Sequence, residues 1–97
     1  MILVTGSFVA KEGSLAEALA LSLEHVHRSR LEPGCISHAV HQDVENSARL
    51  VFVEEWADQA ALTAHFAVPA SRTFGRALAA LAAGSPEMAV YEATRVR

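Results

Sequence analysis

Hydrophobic residues run along this chain in two rhythms, an alternation suited to strands and a three-to-four spacing suited to helices. Met1 to Ala10 is apolar on both faces, with Ile2, Val4 and Phe8 on one and Leu3 and Val9 on the other. That pattern predicts a strand covered on both sides. Lys11-Glu12-Gly13 is a turn, and Ser14 with Glu17 has the form of a capping box. A helix is predicted from about Leu15 to Leu31, burying Leu15, Leu19, Leu23 and Val26 and leaving Glu24, His27, Arg28 and Arg30 in solvent. Pro33-Gly34 ends it. Cys35 to Asp43 reads as a strand with Ile36, His38 and Val40 on one face and Ser37, Ala39 and His41 on the other. After a polar loop with its tip at Asn46-Ser47, Arg49 to Trp56 forms a third strand, and so short a connection implies antiparallel pairing. Asp58 is placed to cap a helix that stops before Pro69. A further helix over about Ser71 to Ala83, with Phe74, Leu78 and Leu81 as its stripe, ends at Gly84 and Pro86. Glu87 to Val96 is the last strand.

Strand, helix, strand, strand, helix pair, strand is the ferredoxin-like βαββαβ plan, an α+β fold with one antiparallel sheet and helices on one face. No linker or repeat divides residues 1–97, so one domain is expected. Apolar residues on both strand faces call for a cover on the second face as well. A second copy of the same sheet is the simplest cover, giving a homodimer.

Composition narrows the partners. Hydrophobic residues make up 52% of the 97, and the net charge is −3 with no run of Lys or Arg. A nucleic-acid surface is therefore not expected. No apolar run reaches the ~20 residues of a membrane span. No signal peptide is visible at the N-terminus. Cys35 is the only cysteine, which excludes an internal disulfide and makes the cytoplasm the expected compartment.

The stretch from Glu54 to Phe66 carries the candidate chemistry. Leu50, Phe52, Glu54 and Trp56 share a strand face, and Leu62, His65 and Phe66 follow at helical spacing. A helix folded back over that strand brings a carboxylate, an indole and an imidazole into one apolar crevice, suited to bind a small aromatic molecule and move its protons. His38 shares a strand face with Ile36 and Val40 and is a candidate wall of the same crevice. A metal held by His38, His41, His65 and Glu54 is disfavoured, because His38 and His41 point to opposite faces. His25 and His27, two apart on a helix, do not face one point. No glycine-rich dinucleotide fingerprint occurs, so no cofactor is expected.

Pro33-Gly34-Cys35-Ile36, Glu54-Glu55-Trp56-Ala57-Asp58, Ala64-His65-Phe66 and Ser71-Arg72-Thr73-Phe74 together resemble the antibiotic biosynthesis monooxygenase domain, over nearly the whole chain. The resemblance implies a dimeric α+β barrel, a hydrophobic pocket between sheet and helices, and oxygenation of quinols or polyketide phenols by molecular oxygen without metal or flavin. On that footing His65 is the candidate base and Glu54 its partner. Trp56, His38, Phe52, Phe66 and Phe74 are the candidate substrate contacts. Haem-degrading relatives use an Asn on the first strand and a Trp on the helix after the third. Here the first strand has no Asn and that helix offers His65, so haem degradation is not expected. The competing reading is a non-catalytic small-molecule-binding or stress-response domain with the same pocket.

Overall fold

The computed structural model describes residues 1–97. Seven elements follow one another: β1 (Ile2–Val9), α1 (Leu15–Ser29), β2 (Cys35–Gln42), β3 (Arg49–Trp56), α2 (Gln59–Ala67), α3 (Pro69–Ala80) and β4 (Glu87–Glu92). The strands form one antiparallel sheet in the order β2-β3-β1-β4, the ferredoxin-like arrangement. In β1 and β3 the alternation of apolar residues sets which face is buried. Ile2, Val4 and Phe8 pair in register with Trp56, Glu54 and Leu50, and all six side chains lie under the helices.

Two dry clusters form on that inner face. Phe8, Leu50 and Phe52 pack with Val26 of α1 and Leu78 of α3 at one end. Ile2, Val4 and Trp56 pack with Leu62 of α2 at the other. No helix is long and apolar enough to cross a membrane. The opposite sheet face carries Leu3, Ala39, Val51 and Val53, which are half-buried, and Tyr91, which is exposed; no helix of this chain lies over it.

Several predicted details differ. The buried face of α1 is Ala18, Ser22, His25, Val26 and Ser29, while Leu23 is 46% exposed. Small residues let the helix lie close to the sheet, so the stripe does not follow the leucines. α1 stops at Ser29, two residues early, and the turn to Gly34 carries Glu32. The Ser14 side chain makes no cap bond; its backbone is already helical (φ −107°, ψ −2°), whereas a capping hydroxyl needs an extended backbone. Asp58 is extended, and its Oδ1 accepts from the Ala61 N–H at 2.8 Å. α3 begins at Pro69 rather than Ser71, since proline fits the first turn of a helix. β4 ends at Glu92, four residues short of Val96.

In β2, Cys35 pairs with Trp56 and Ser37 with Glu55, leaving Ile36 as a bulged residue that is 56% exposed. Ile36 therefore does not share the inner face with His38, and Cys35 does. Just before the bulge, Gly34 has φ +82°, and a Cβ there would sit 2.5 Å from that of Ala61. Only glycine lets the start of β2 pass so close to α2.

Candidate active site

Between the two dry clusters the inner face turns polar. Glu54 stands on β3 between Phe52 and Trp56, and His38 faces it from β2 through the register pair His38–Glu54. His65 comes down from α2 and His25 from α1; all four side chains are buried. Glu54 Oε1 is the hub. It accepts from the Trp56 indole N–H at 2.9 Å, lies 3.2 Å from His38 Nε2 and 4.0 Å from His65 Nε2. The His38 contact is not an aligned hydrogen bond, and neither ring nitrogen of His38 has a directed partner. His65 Nδ1 is held 2.8 Å from Glu32 Oε1 in the turn after α1. Arg28 approaches His25 Nδ1 to 2.9 Å.

This setting favours loss of the proton from two groups and leaves them with different charges. Burial pushes the Glu54 carboxyl up, but the close approach of His38, the Trp56 N–H and the charge of His65 together bring it below the usual carboxylate range. His25 is lowered from 6.5 to about 3, first by burial and then by the like charges of His38, His65 and Arg28. Glu54 is thus held ionised and His25 neutral.

A cavity of about 320 Å³ opens over Glu54, His25 and His65. Its walls are Phe8, Phe52, Phe66, Phe74, Leu78 and Met88, and Ser71 and Arg72 of α3 also line it. Of the sequence-predicted residues, Glu54, His65, Phe52, Phe66 and Phe74 line this space. Trp56 and His38 do not: both are sealed beneath it, Trp56 at 0% and His38 at 1% exposure. Trp56 meets the site through its N–H on Glu54 and by packing against the His65 ring, with centroids 4.6 Å apart. His41 is exposed at the edge strand and takes no part.

His25 was missed. Compared only with His27, it looked isolated; its signal lay in the spacing Ala18, Ser22, His25, Ser29, which marks one helix face. One ring nitrogen from each of His25, His38 and His65 falls within 4.8 Å of the others, a spacing that three metal ligands could adopt. Their second contacts do not suit an ion. Metal-bound imidazoles donate their other N–H to a carboxylate or carbonyl, as His65 does to Glu32. His25 instead has a guanidinium, a pure donor, on its other nitrogen.

Comparison with known proteins places the chain in a family and matches its fold. The family model described as antibiotic biosynthesis monooxygenase matches residues 1–82. An uncharacterized protein, sll1783, of Synechocystis sp. is 34% identical over 91 residues, covering 94% of this chain; the chain spans 62% of that relative's length. A crystal structure of an antibiotic biosynthesis monooxygenase superposes with a TM-score of 0.90 at 26% identity, covering 98% of this chain and all of that one. A conserved protein from Methanosarcina mazei superposes with a TM-score of 0.91 at 25% identity, covering 96% of this chain and 92% of its own. The chain belongs to the antibiotic biosynthesis monooxygenase family.

Proposed function

We propose that this protein is a cofactor-free monooxygenase acting on a quinol or a similar small hydroxylated aromatic. The observation that carries the reading is an ionised buried carboxylate and a buried histidine at the floor of a cavity walled by four phenylalanines. A hydroquinone needs no metal or flavin to meet oxygen: once deprotonated it is itself the electron donor. The quinol and oxygen yield a hydroxyquinone and water, the substrate supplying all the electrons that reduce the oxygen. The protein's part is a base, a dry space and compensation of charge. His65 takes the hydroxyl proton, and Glu54 and Glu32 offset the resulting imidazolium. The phenylalanine walls hold the ring and exclude water.

The homodimer belongs to the same reading. It is supported by the uncovered sheet face with Leu3, Val51, Val53 and Tyr91. An interface of this kind buries on the order of 2,000 Å² or more.

Oxygen uptake with a panel of hydroquinones, with no metal or flavin added, tests the activity. Uptake matched by hydroxyquinone formation is expected. Quinols that bind without oxygen uptake would leave a binding domain instead.

A further inference from the structure

The oxygenase reading leaves His25 unused, although it lines the same cavity. The Arg28 guanidinium lies 2.9 Å from His25 Nδ1. A guanidinium has only donors, so Nδ1 accepts, and the neutral ring carries its hydrogen on Nε2. Phe74 stacks on the ring at 4.0 Å, with the planes 7° apart, which fixes its orientation. His65 has the opposite arrangement. Its Nδ1 lies 2.8 Å from Glu32 Oε1; a carboxylate only accepts, so Nδ1 donates and Nε2 keeps its lone pair. The two rings, with centroids 5.3 Å apart, are thus held in opposite tautomers. Neither Nε2 has a hydrogen-bond partner in the chain, and neither is sealed from the cavity, in contrast to both nitrogens of His38.

We propose that His25 is a second catalytic residue, whose Nε2–H donates to the same substrate oxygen that His65 Nε2 deprotonates. This rests on the oxygenase reading for its chemistry, but its geometry stands apart from it. An oxygen about 2.8 Å from two nitrogens spans a gap of up to about 5 Å between them, and one ring nitrogen of His25 lies within 4.8 Å of one of His65. In the step, the substrate O–H bond breaks and an N–H bond forms at His65. The oxygen keeps the electron pair, and the existing His25 N–H···O contact becomes a charge-assisted bond. No proton leaves His25. The groups facing it are Arg28 on its own helix, His38 from β2, Glu54 from β3 and His65 from α2. Burial, with the Arg28 guanidinium beside it, holds the ring neutral, so it remains a fixed donor across the working pH range. The ligand class that follows is an aromatic with an ionisable hydroxyl.

The tautomers are read directly on the unaltered protein by ¹⁵N NMR of labelled imidazoles. His25 is expected in the Nε2–H form and His65 in the Nδ1–H form. Finding His25 as Nδ1–H, or protonated near neutrality, overturns the proposal. 4-Nitrophenol then serves as a non-reacting probe whose phenolate is seen by absorbance. The wild-type protein is expected to bind the phenolate and lower the probe's apparent pKa. His25→Phe keeps the stacking on Phe74 but should abolish that shift and cut quinol-dependent kcat by roughly 100-fold, with KM nearly unchanged; His25→Gln, which retains an N–H, should recover part of both. A folded His25→Phe protein with an unaltered probe pKa and full oxygen uptake sinks the role of His25 and leaves the oxygenase standing. A wild-type protein that takes up no oxygen with any quinol, yet shifts the probe only when His25 is present, removes the oxygenase and leaves the donor role intact. Stoichiometric Zn²⁺ or Fe²⁺ binding that requires His25 would also overturn it, since a ligand nitrogen carries no hydrogen.

Discussion

The inner face of β3 holds two neighbourhoods one residue pair apart. Leu50 and Phe52 sit in a cluster with no polar atom to satisfy, where size and shape alone decide the packing. Glu54 and Trp56 sit where every choice is coupled: Trp56 fills space with Ile2, Val4 and Leu62 and also donates to Glu54. A large residue there is both core and electrostatic support. The same strand thus makes a tolerant region and an intolerant one, and the cavity opens where they meet.

The sharpest way to break that contrast is Trp56→Ala. It leaves a large hole and removes the indole donor from Glu54, so a loss of about 3–5 kcal/mol is expected in a denaturant melt. Trp56→Phe, keeping most of the volume, should recover most of the stability while the Glu54 carboxyl titrates higher. A Trp56→Ala loss near 1 kcal/mol would mean the second cluster is as tolerant as the first.

Acid should produce the next largest effect. Folded His25 titrates at about 3 and the unfolded ring near 6.5, so the unfolded chain binds the extra proton between those values. Stability therefore falls as pH drops from about 6.5 toward 3. Glu54 acts in the same direction: its folded carboxyl is held below the usual range, and its contribution is lost as pH falls through that lowered value. Together they should cost on the order of a few kcal/mol. His25→Phe should flatten the upper part of the curve of Tm against pH; an unchanged curve would show that His25 is not the group responsible.

His65→Gln separates chemistry from packing. Quinol-dependent turnover should drop by roughly 100-fold, with Tm shifted only slightly because an amide still reaches Glu32. Full turnover in a folded variant would remove His65 as the base. The smallest effect is expected at Leu23, where truncation to Ala should change stability by less than about 0.5 kcal/mol. A loss of 2 kcal/mol would restore the leucine stripe as the packed face of α1.

Leu23 and His25 also show where the sequence was legible. Strands announce themselves by an alternation that the sheet must obey, and Arg49 to Trp56 was found to the residue. Asp58 was equally plain, because a capping carboxylate acts locally. The face of α1 was not, because hydrophobicity favours large residues, and this helix approaches the sheet through Ala18, Ser22 and Ser29. The error carried His25 out of the site with it. Glu32 could not be found at all: its partner lies 33 positions away, and no local pattern links a turn residue to a helix. For Trp56 and His38 the alternation gives the face of the strand but not the depth, and both lie beneath the cavity rather than in its wall.

The bulge at Ile36 has a bearing on how this chain can vary. Cys35 and His38 are three positions apart, an odd separation, and in a regular strand one would face in and the other out. The extra residue resets the parity, so both face inward. Deleting Ile36 would leave His38 to Gln42 in register with β3 and, by placing Cys35 two positions before His38, would keep Cys35 facing inward opposite Trp56 as well. A one-residue deletion beyond Ser37 in β2 can instead bring Ser37 or Ala39 beneath Glu54. The site therefore tolerates a change of chain length at the bulge, and a relative that lacks the bulge can keep both the histidine and the cysteine on the inner face.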